Sequence, residues 1–182
     1  MEFKRFKHEE PNFLTHEECV GFIEYAESQG FEEALIQTRA EGQVMDKSIR
    51  DNDRHIWDAR DLATQLWDLV KRLVPAEVDG WSAHGLNERF RIYRYKDGQQ
   101  FKVHPDGSFK RNAHEHSKIS VIIYLNDDFE AGETEFVMPH QIIEPEAGKL
   151  LLFAHKQLHK GNPVPEGTKY VLRTDVMYVD KL

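Results

Sequence analysis

The residues with the clearest chemical potential are His104, Pro105 and Asp106, at the end of a β-prone run, Gln100–His104. A spacing of two puts both ionisable side chains on one face of an extended chain. Two neighbouring ligands and a distant histidine would make a two-His-one-carboxylate triad. Such a triad leaves coordination positions open and suits Fe(II) that activates O2. A bare His-x-Asp also arises by chance, as a histidine at a strand end bonded to a nearby aspartate, so the surrounding segments must carry the case.

The best distant histidine is His159, followed by Lys160-Gly161-Asn162-Pro163-Val164. The next β-prone run is Thr168–Tyr178. On it Lys169, Val171, Arg173 and Asp175 share one face; Tyr170, Leu172, Val176 and Tyr178 share the other and should pack against helices. Two cations inside a barrel need partners. A dicarboxylate cosubstrate would supply one, its distal carboxylate meeting Lys169, Arg173 or both. The competing account pairs Arg173 internally with Asp175.

Other candidates carry less. His155 lies four residues before His159 and is an alternative ligand, but the Gly-Asn-Pro-Val context follows His159. His114-Glu115-His116 falls in the polar stretch Gly107–Ser117, read as a solvated loop that could close over a substrate. His55, in Asp51-Asn52-Asp53-Arg54-His55, reads as a polar loop. Arg91 and Tyr93 share a strand face with Tyr95 and either line a cavity or face solvent on an edge strand. Cys19 reads as a helix core residue.

These groups need a scaffold. Thr15 and Glu18 form a capping box at a helix start, Leu14 and Cys19 are spaced for a hydrophobic staple, and Gly30 is a stop. Cys19, Phe22, Ile23 and Ala26 make one helical face. A second helix is predicted from about Asp58 to Leu73, with Leu62, Leu66, Leu69, Val70 and Leu73 as its stripe. The N-terminal third thus reads as helical. Short strands then follow: Arg89–Tyr95, Gln100–His104, Lys118–Leu125, Thr134–Val137, Leu150–Ala154 and Thr168–Tyr178, with turn signals between them. Many short strands suggest a sandwich or jelly roll with the helices on one outer face. The expected class is α+β, one domain over 1–182, with helical support about 12–75 and a jelly-roll core about 86–180.

Bulk properties narrow the partners. The 182 residues are 40% hydrophobic and 31% charged, as in an ordinary globular protein. A net charge of −8 argues against nucleic acid as partner. No apolar run approaches a membrane span, and Met1–Glu10 has no secretory core. Cys19 is the lone cysteine, so no internal disulfide forms and cytoplasmic placement is expected. Oligomeric state is not legible.

The chain from about Asn87 to Tyr178 resembles the catalytic domain of the prolyl 4-hydroxylase-like 2-oxoglutarate/Fe(II) dioxygenases. The matching pieces run in order: Tyr95–Asp106, Ile122–Asn126, Gly132–Phe136, Pro145–Phe153 and His159–Arg173. The N-terminal helices resemble that family's support helices. The resemblance implies a double-stranded β-helix (a jelly-roll, cupin-like core) holding Fe(II) on His104, Asp106 and His159. It implies that Tyr95 helps hold 2-oxoglutarate and that Lys169, ten residues after the distal histidine, binds its C5 carboxylate. Arg173 is added on strand parity. It also implies O2 as cosubstrate and ascorbate as a candidate cofactor. Family members often carry two glycines where this chain has Ala131-Gly132, which bears on a turn rather than on the iron site.

The expected reaction is hydroxylation of an unactivated C–H bond, foremost of a prolyl residue in a protein or peptide. Asp106, rather than Gly or Ala, favours hydroxylation over halogenation. A free amino acid or other small molecule is the alternative substrate. A nucleic-acid demethylase would want a basic, aromatic groove. A non-catalytic cupin-like metal-binding module would have no need of Lys169 and Arg173. A zinc hydrolase would want a general base beside the metal.

Overall fold

The computed structural model describes residues 3–38, 42–44 and 46–180. The core is two facing antiparallel sheets. The larger runs in hydrogen-bonded order Lys7–Glu10, Leu150–Ala154, Glu115–Tyr124, Thr168–Asp180, Arg89–Lys96, Asp53–Asp58 and Glu32–Glu33. Trp81–Leu86 pairs with the far end of Thr168–Asp180. The smaller sheet runs His140–Ile143, Thr134–Val137, His159–Gly161 and Phe101–His104.

From Arg89 onward the chain passes repeatedly from one sheet to the other. It goes from Arg89–Lys96 to Phe101–His104, back to Glu115–Tyr124, across to Thr134–Ile143, back to Leu150–Ala154, across to His159–Gly161, and back to Thr168–Asp180. This is a jelly roll of the double-stranded β-helix kind, and neighbours in one sheet are far apart in sequence.

Strand alternation builds two cores from one sheet. Phe90, Ile92, Ile119, Val121, Ile123, Leu150, Leu152, Leu172, Val176 and Tyr178 face outward, towards the helices. There they meet Cys19 and Ala26 of helix α1 (His16–Gln29), and Ala63, Leu66 and Val70 of helix α2 (Arg60–Val70). Tyr93, Tyr95, Tyr124, Leu151, Phe153 and Val171 face inward, against Phe136, Ile143 and Val164. Leu150–Ala154 is buried on both faces, which is why it reads as an unbroken apolar run.

Helix α1 has the expected boundaries. Thr15 Oγ1 accepts from the Glu18 amide, the Glu18 carboxylate accepts from Thr15 N–H at 2.7 Å, and Gly30 follows the last turn at φ 84°. Helix α2 is shorter than expected. It ends at Val70, and Leu69 is 48% exposed because the buried arc centres on Ala63, Leu66 and Val70.

The N-terminal third is not only helical: Lys7–Glu10 and Asp53–Asp58 are strands of the large sheet. Both are polar and lie at or near its edge, so apolar periodicity does not betray them. His55 therefore sits on a strand, its ring stacked on Trp57 at 5.5 Å, not in a loop. The stretch read as a solvated loop after Asp106 holds a hairpin, Lys110–Asn112 with the start of Glu115–Tyr124. Among the described residues no helix is long and apolar enough to cross a membrane.

Candidate active site

His104 ends one strand of the small sheet, and His159 begins the strand beside it. The two are register partners, so their rings meet at 4.4 Å between centroids. Asp106 lies two residues beyond His104, its amide donating to the His155 carbonyl at 2.7 Å. One ligand atom from each of His104, Asp106 and His159 falls within 4.8 Å of the others. His104 Nδ1 faces the Lys102 carbonyl at 2.7 Å and His159 Nδ1 the Gln157 carbonyl at 2.9 Å. A carbonyl only accepts, so each Nδ1 carries the proton and each Nε2 is left as the coordinating atom. The two Nε2 atoms lie 3.7 and 3.9 Å from the Asp106 carboxylate.

The electrostatics prepare these groups for a cation. Burial, and then the neighbouring His159, push the His104 pKa down to about 3, so no proton competes for it. Burial alone would raise the Asp106 carboxyl, but Arg173, His159 and His104 outweigh it and hold it well below the usual carboxylate range. Phe101 stacks on His104 at 3.4 Å, while Phe136 and Phe153 pack on His159, so neither ring is free to turn. Two imidazoles and an ionised carboxylate converging from one side fit an Fe(II) ion with open positions.

The same cavity is lined by Lys169, 4% exposed and opposite Tyr95 in the sheet register. Its Nζ donates to the Gly132 carbonyl and sits 5.5 and 5.4 Å from the ring centres of Tyr95 and Tyr124. Among the described residues no carboxylate is in ion-pair range of it. Burial lowers its pKa to about 8 against the pull of Glu133. A buried ammonium without a counter-ion is an anion site in waiting.

The family profile of the 2OG-Fe(II) oxygenase superfamily matches residues 90–174, a span holding every one of these groups. Over that span the chain is similar to this superfamily. A probable prolyl 4-hydroxylase 9 of Arabidopsis thaliana is 28% identical over 88% of this chain, which spans 65% of that protein's length. The fold matches a viral collagen prolyl hydroxylase of Paramecium bursaria Chlorella virus-1, solved with 2OG, at TM-score 0.68 and 19% identity, over 96% of this chain and 97% of that one. It also matches a Trichoplax adhaerens prolyl hydroxylase, solved with a hypoxia inducible factor peptide, at TM-score 0.74 and 16% identity, over 96% and 83%.

Arg173 sits apart from Lys169. Its Nη2 is 3.0 Å from Asp106 Oδ1 and 3.6 Å from Asp175 Oδ1. Strand parity correctly placed it in the cavity, yet its partner there is a candidate metal ligand. Tyr95 is buried with its hydroxyl pushed up to about 12, first by burial, so it stays protonated as a donor. Arg91 and Tyr93 do not face solvent on an edge strand, because Arg89–Lys96 lies between two others; Tyr93 lines the cavity and Arg91 Nη1 reaches Asp175 at 3.7 Å.

His155 is not on the ligand face. The strand ends at Ala154, so the assumed alternation breaks, and the ring bonds to Ser117 and Ser120 instead. His114 pairs with Asp180 at 2.9 Å and His116 packs on Trp81 at 4.0 Å, both away from the site. Sequence reasoning assigned nothing to Tyr124, Ser120 or Arg50. Alternation with Ile123 marks Tyr124 and Ser120 as inward. No sequence signal marks Arg50, whose buried guanidinium lies 4.5 and 4.6 Å over the Tyr93 and Phe101 rings.

The Ala131-Gly132 turn carries the Lys169 acceptor. Gly132 has φ 71°, and a Cβ there would come 2.9 Å from Val164 and 3.3 Å from the Lys169 stem, so glycine is required. Ala131 holds φ 55° with a Cβ present. Replacing Ala131 with Gly should therefore stabilise the protein by about 1 kcal/mol in urea unfolding without moving Lys169. Equal or lower stability would show the left-handed alanine to be unstrained.

Proposed function

We propose that this chain is a 2-oxoglutarate- and Fe(II)-dependent dioxygenase that hydroxylates an unactivated C–H bond, foremost of a prolyl residue in a protein or peptide. One observation carries the reading: an open His-Asp-His cluster shares a cavity with a buried lysine that lacks a counter-anion. A bare metal-binding module has no use for that lysine. The prolyl hydroxylase names of the relatives, and the peptide in the Trichoplax structure, support the choice of substrate.

His104, Asp106 and His159 would hold Fe(II), which with 2-oxoglutarate and O2 converts R–H to R–OH while releasing succinate and CO2. The chain's own residues do the placing. Lys169 would pair with the C5 carboxylate of 2-oxoglutarate, and Tyr95 would donate to it from the adjacent strand. Arg173, already engaged with Asp106, would keep that ligand ionised and oriented rather than act as a second anchor. The apolar inward faces of Ile122 and Val171 keep water from the bound cosubstrate. Ascorbate is the reductant this reading expects to sustain turnover. A lone buried Cys19 accords with a reducing compartment.

The test is anaerobic titration of Fe(II) with and without 2-oxoglutarate, followed by a screen of proline-containing peptides and free amino acids for succinate release. The expected result is a visible charge-transfer band that needs both components and is lost in His104→Ala and His159→Ala. Tight Zn(II) binding with no such band would leave a cupin-like binding module as the account. Succinate release with free amino acids alone would move the substrate to small molecules.

A further inference from the structure

A run of buried polar groups beside Asp106 has no part in the mechanism above. His155 is 5% exposed, Ser117 1% and Ser120 0%. The Phe109 amide lies 2.8 Å from Ser117 Oγ, and Ser117 Oγ lies 2.8 Å from His155 Nε2. On the other side of the ring, His155 Nδ1 lies 2.8 Å from Ser120 Oγ, which lies 2.5 Å from Asp106 Oδ2.

The direction of every bond follows from counting protons. The Asp106 carboxylate only accepts, so the single hydroxyl proton of Ser120 goes to it. Ser120 Oγ must then accept from His155 Nδ1–H. At the far end Ser117 Oγ accepts the Phe109 N–H and spends its own proton on His155 Nε2. A neutral imidazole protonated on Nδ1 satisfies every bond. Asp175 Oδ1, 3.9 Å from His155 Nε2, lies outside the chain of bonds.

Asp106 is thereby held at three points. Ser120 takes Oδ2, Arg173 approaches Oδ1 at 3.0 Å, and the Asp106 amide donates to the His155 carbonyl at 2.7 Å. His155 serves twice, through its ring and its backbone. The network also reaches the segment that follows the ligand, since Ser108 Oγ donates to the Ser117 carbonyl at 2.6 Å.

We propose that Ser120, and His155 acting through it, are positioning residues of the metal site: they fix the plane of the Asp106 carboxylate, and so the lone pair it presents to a divalent ion. The inference rests on reading His104, Asp106 and His159 as the metal ligands.

The experiment is anaerobic titration of the whole chain with Mn(II), read by the loss of the free-ion resonance, with a thermal melt of each metal-free variant alongside. Ser120→Ala should weaken Mn(II) binding roughly ten- to a hundredfold, as losses of such outer hydrogen bonds do. Ser120→Thr, which keeps the hydroxyl, should restore it. His155→Ala should act in the same direction, and the double variant Ser120→Ala/His155→Ala should be little worse than Ser120→Ala alone, because both act through one bond. A Ser120→Ala variant that melts earlier yet binds Mn(II) like the wild type overturns the proposal and leaves these residues a packing role. Additive losses in the double variant overturn the His155 part. A wild-type chain that binds no Mn(II) overturns the ligand assignment itself, and the positioning role with it.

Discussion

Asp106→Ala should weaken divalent-metal binding and the metal-free fold together. Asp106 is the one carboxylate among the candidate ligands, buried between Arg173, Ser120 and the two histidines. Removing one partner of a buried, hydrogen-bonded charge pair costs about 2–5 kcal/mol, which as a binding loss is roughly 30- to 4,000-fold. The upper end is expected for the metal, because the Arg173 cation would then face a dication with nothing between them. The loss in stability should be smaller, since Asp175 remains 3.6 Å from Arg173. His104→Ala supplies the comparison: it removes a neutral ligand, so its metal affinity should fall less. Mn(II) titration and urea unfolding of both variants measure these effects. Equal metal affinity in Asp106→Ala and the wild type would remove Asp106 from the ligand set.

Lys169→Met should move two quantities in opposite directions. Without cosubstrate the lysine is a liability: burial takes its pKa from 10.5 to about 8, and 1.36 kcal/mol per unit makes this a penalty of about 3 kcal/mol at neutral pH. A methionine of similar shape lacks that penalty, so the metal-free variant should be the more stable protein at pH 7. The same change should raise the Kd for 2-oxoglutarate by roughly two to three orders of magnitude, because the buried anion loses its counter-charge.

Acidity separates the two effects further. Between pH 8 and 10.5 the folded wild type binds fewer protons at Lys169 than the unfolded chain, so its stability rises with pH across this window. The penalty is fully present below pH 8 and gone above 10.5. Lys169→Met should lack this slope. Affinity for 2-oxoglutarate should run the other way, holding below pH 8 and falling about tenfold per unit above it as the ammonium deprotonates. A Lys169→Met variant that keeps its 2-oxoglutarate affinity would place the C5 carboxylate elsewhere, with Arg173 the next candidate.

Much of the architecture was legible because it is written in short-range chemistry. The Thr15–Glu18 capping box and Gly30 mark helix α1 to the residue. Six of the strands from Arg89 onward emerge from β-branched and aromatic runs with turns between them, whereas the short strands His140–Ile143 and His159–Gly161 do not. What escaped was polar: Lys7–Glu10 and Asp53–Asp58 pair through their backbones at the margins of a sheet, where no apolar stripe is needed. The hairpin after Asp106 escaped for the same reason.

At the site, the sequence alone singled out the candidate residues that the structure brings into one cavity. A spacing of two brought His104 and Asp106 together, and parity along Thr168–Tyr178 turned Lys169 and Arg173 to the same side, because a strand's period is local. The partner of each cation was decided only by the tertiary structure. Lys169 and Arg173 are equivalent in sequence, four residues apart on one face. The small sheet sets His104 and Asp106 beside Arg173, while the turn at Gly132 closes over Lys169, leaving one cation paired and the other free. His155 likewise could not be placed from sequence, since its strand stops one residue before it. A charge's partner depends on which segment comes to lie across from it, and Asp106 is more than sixty residues from Arg173 in the chain.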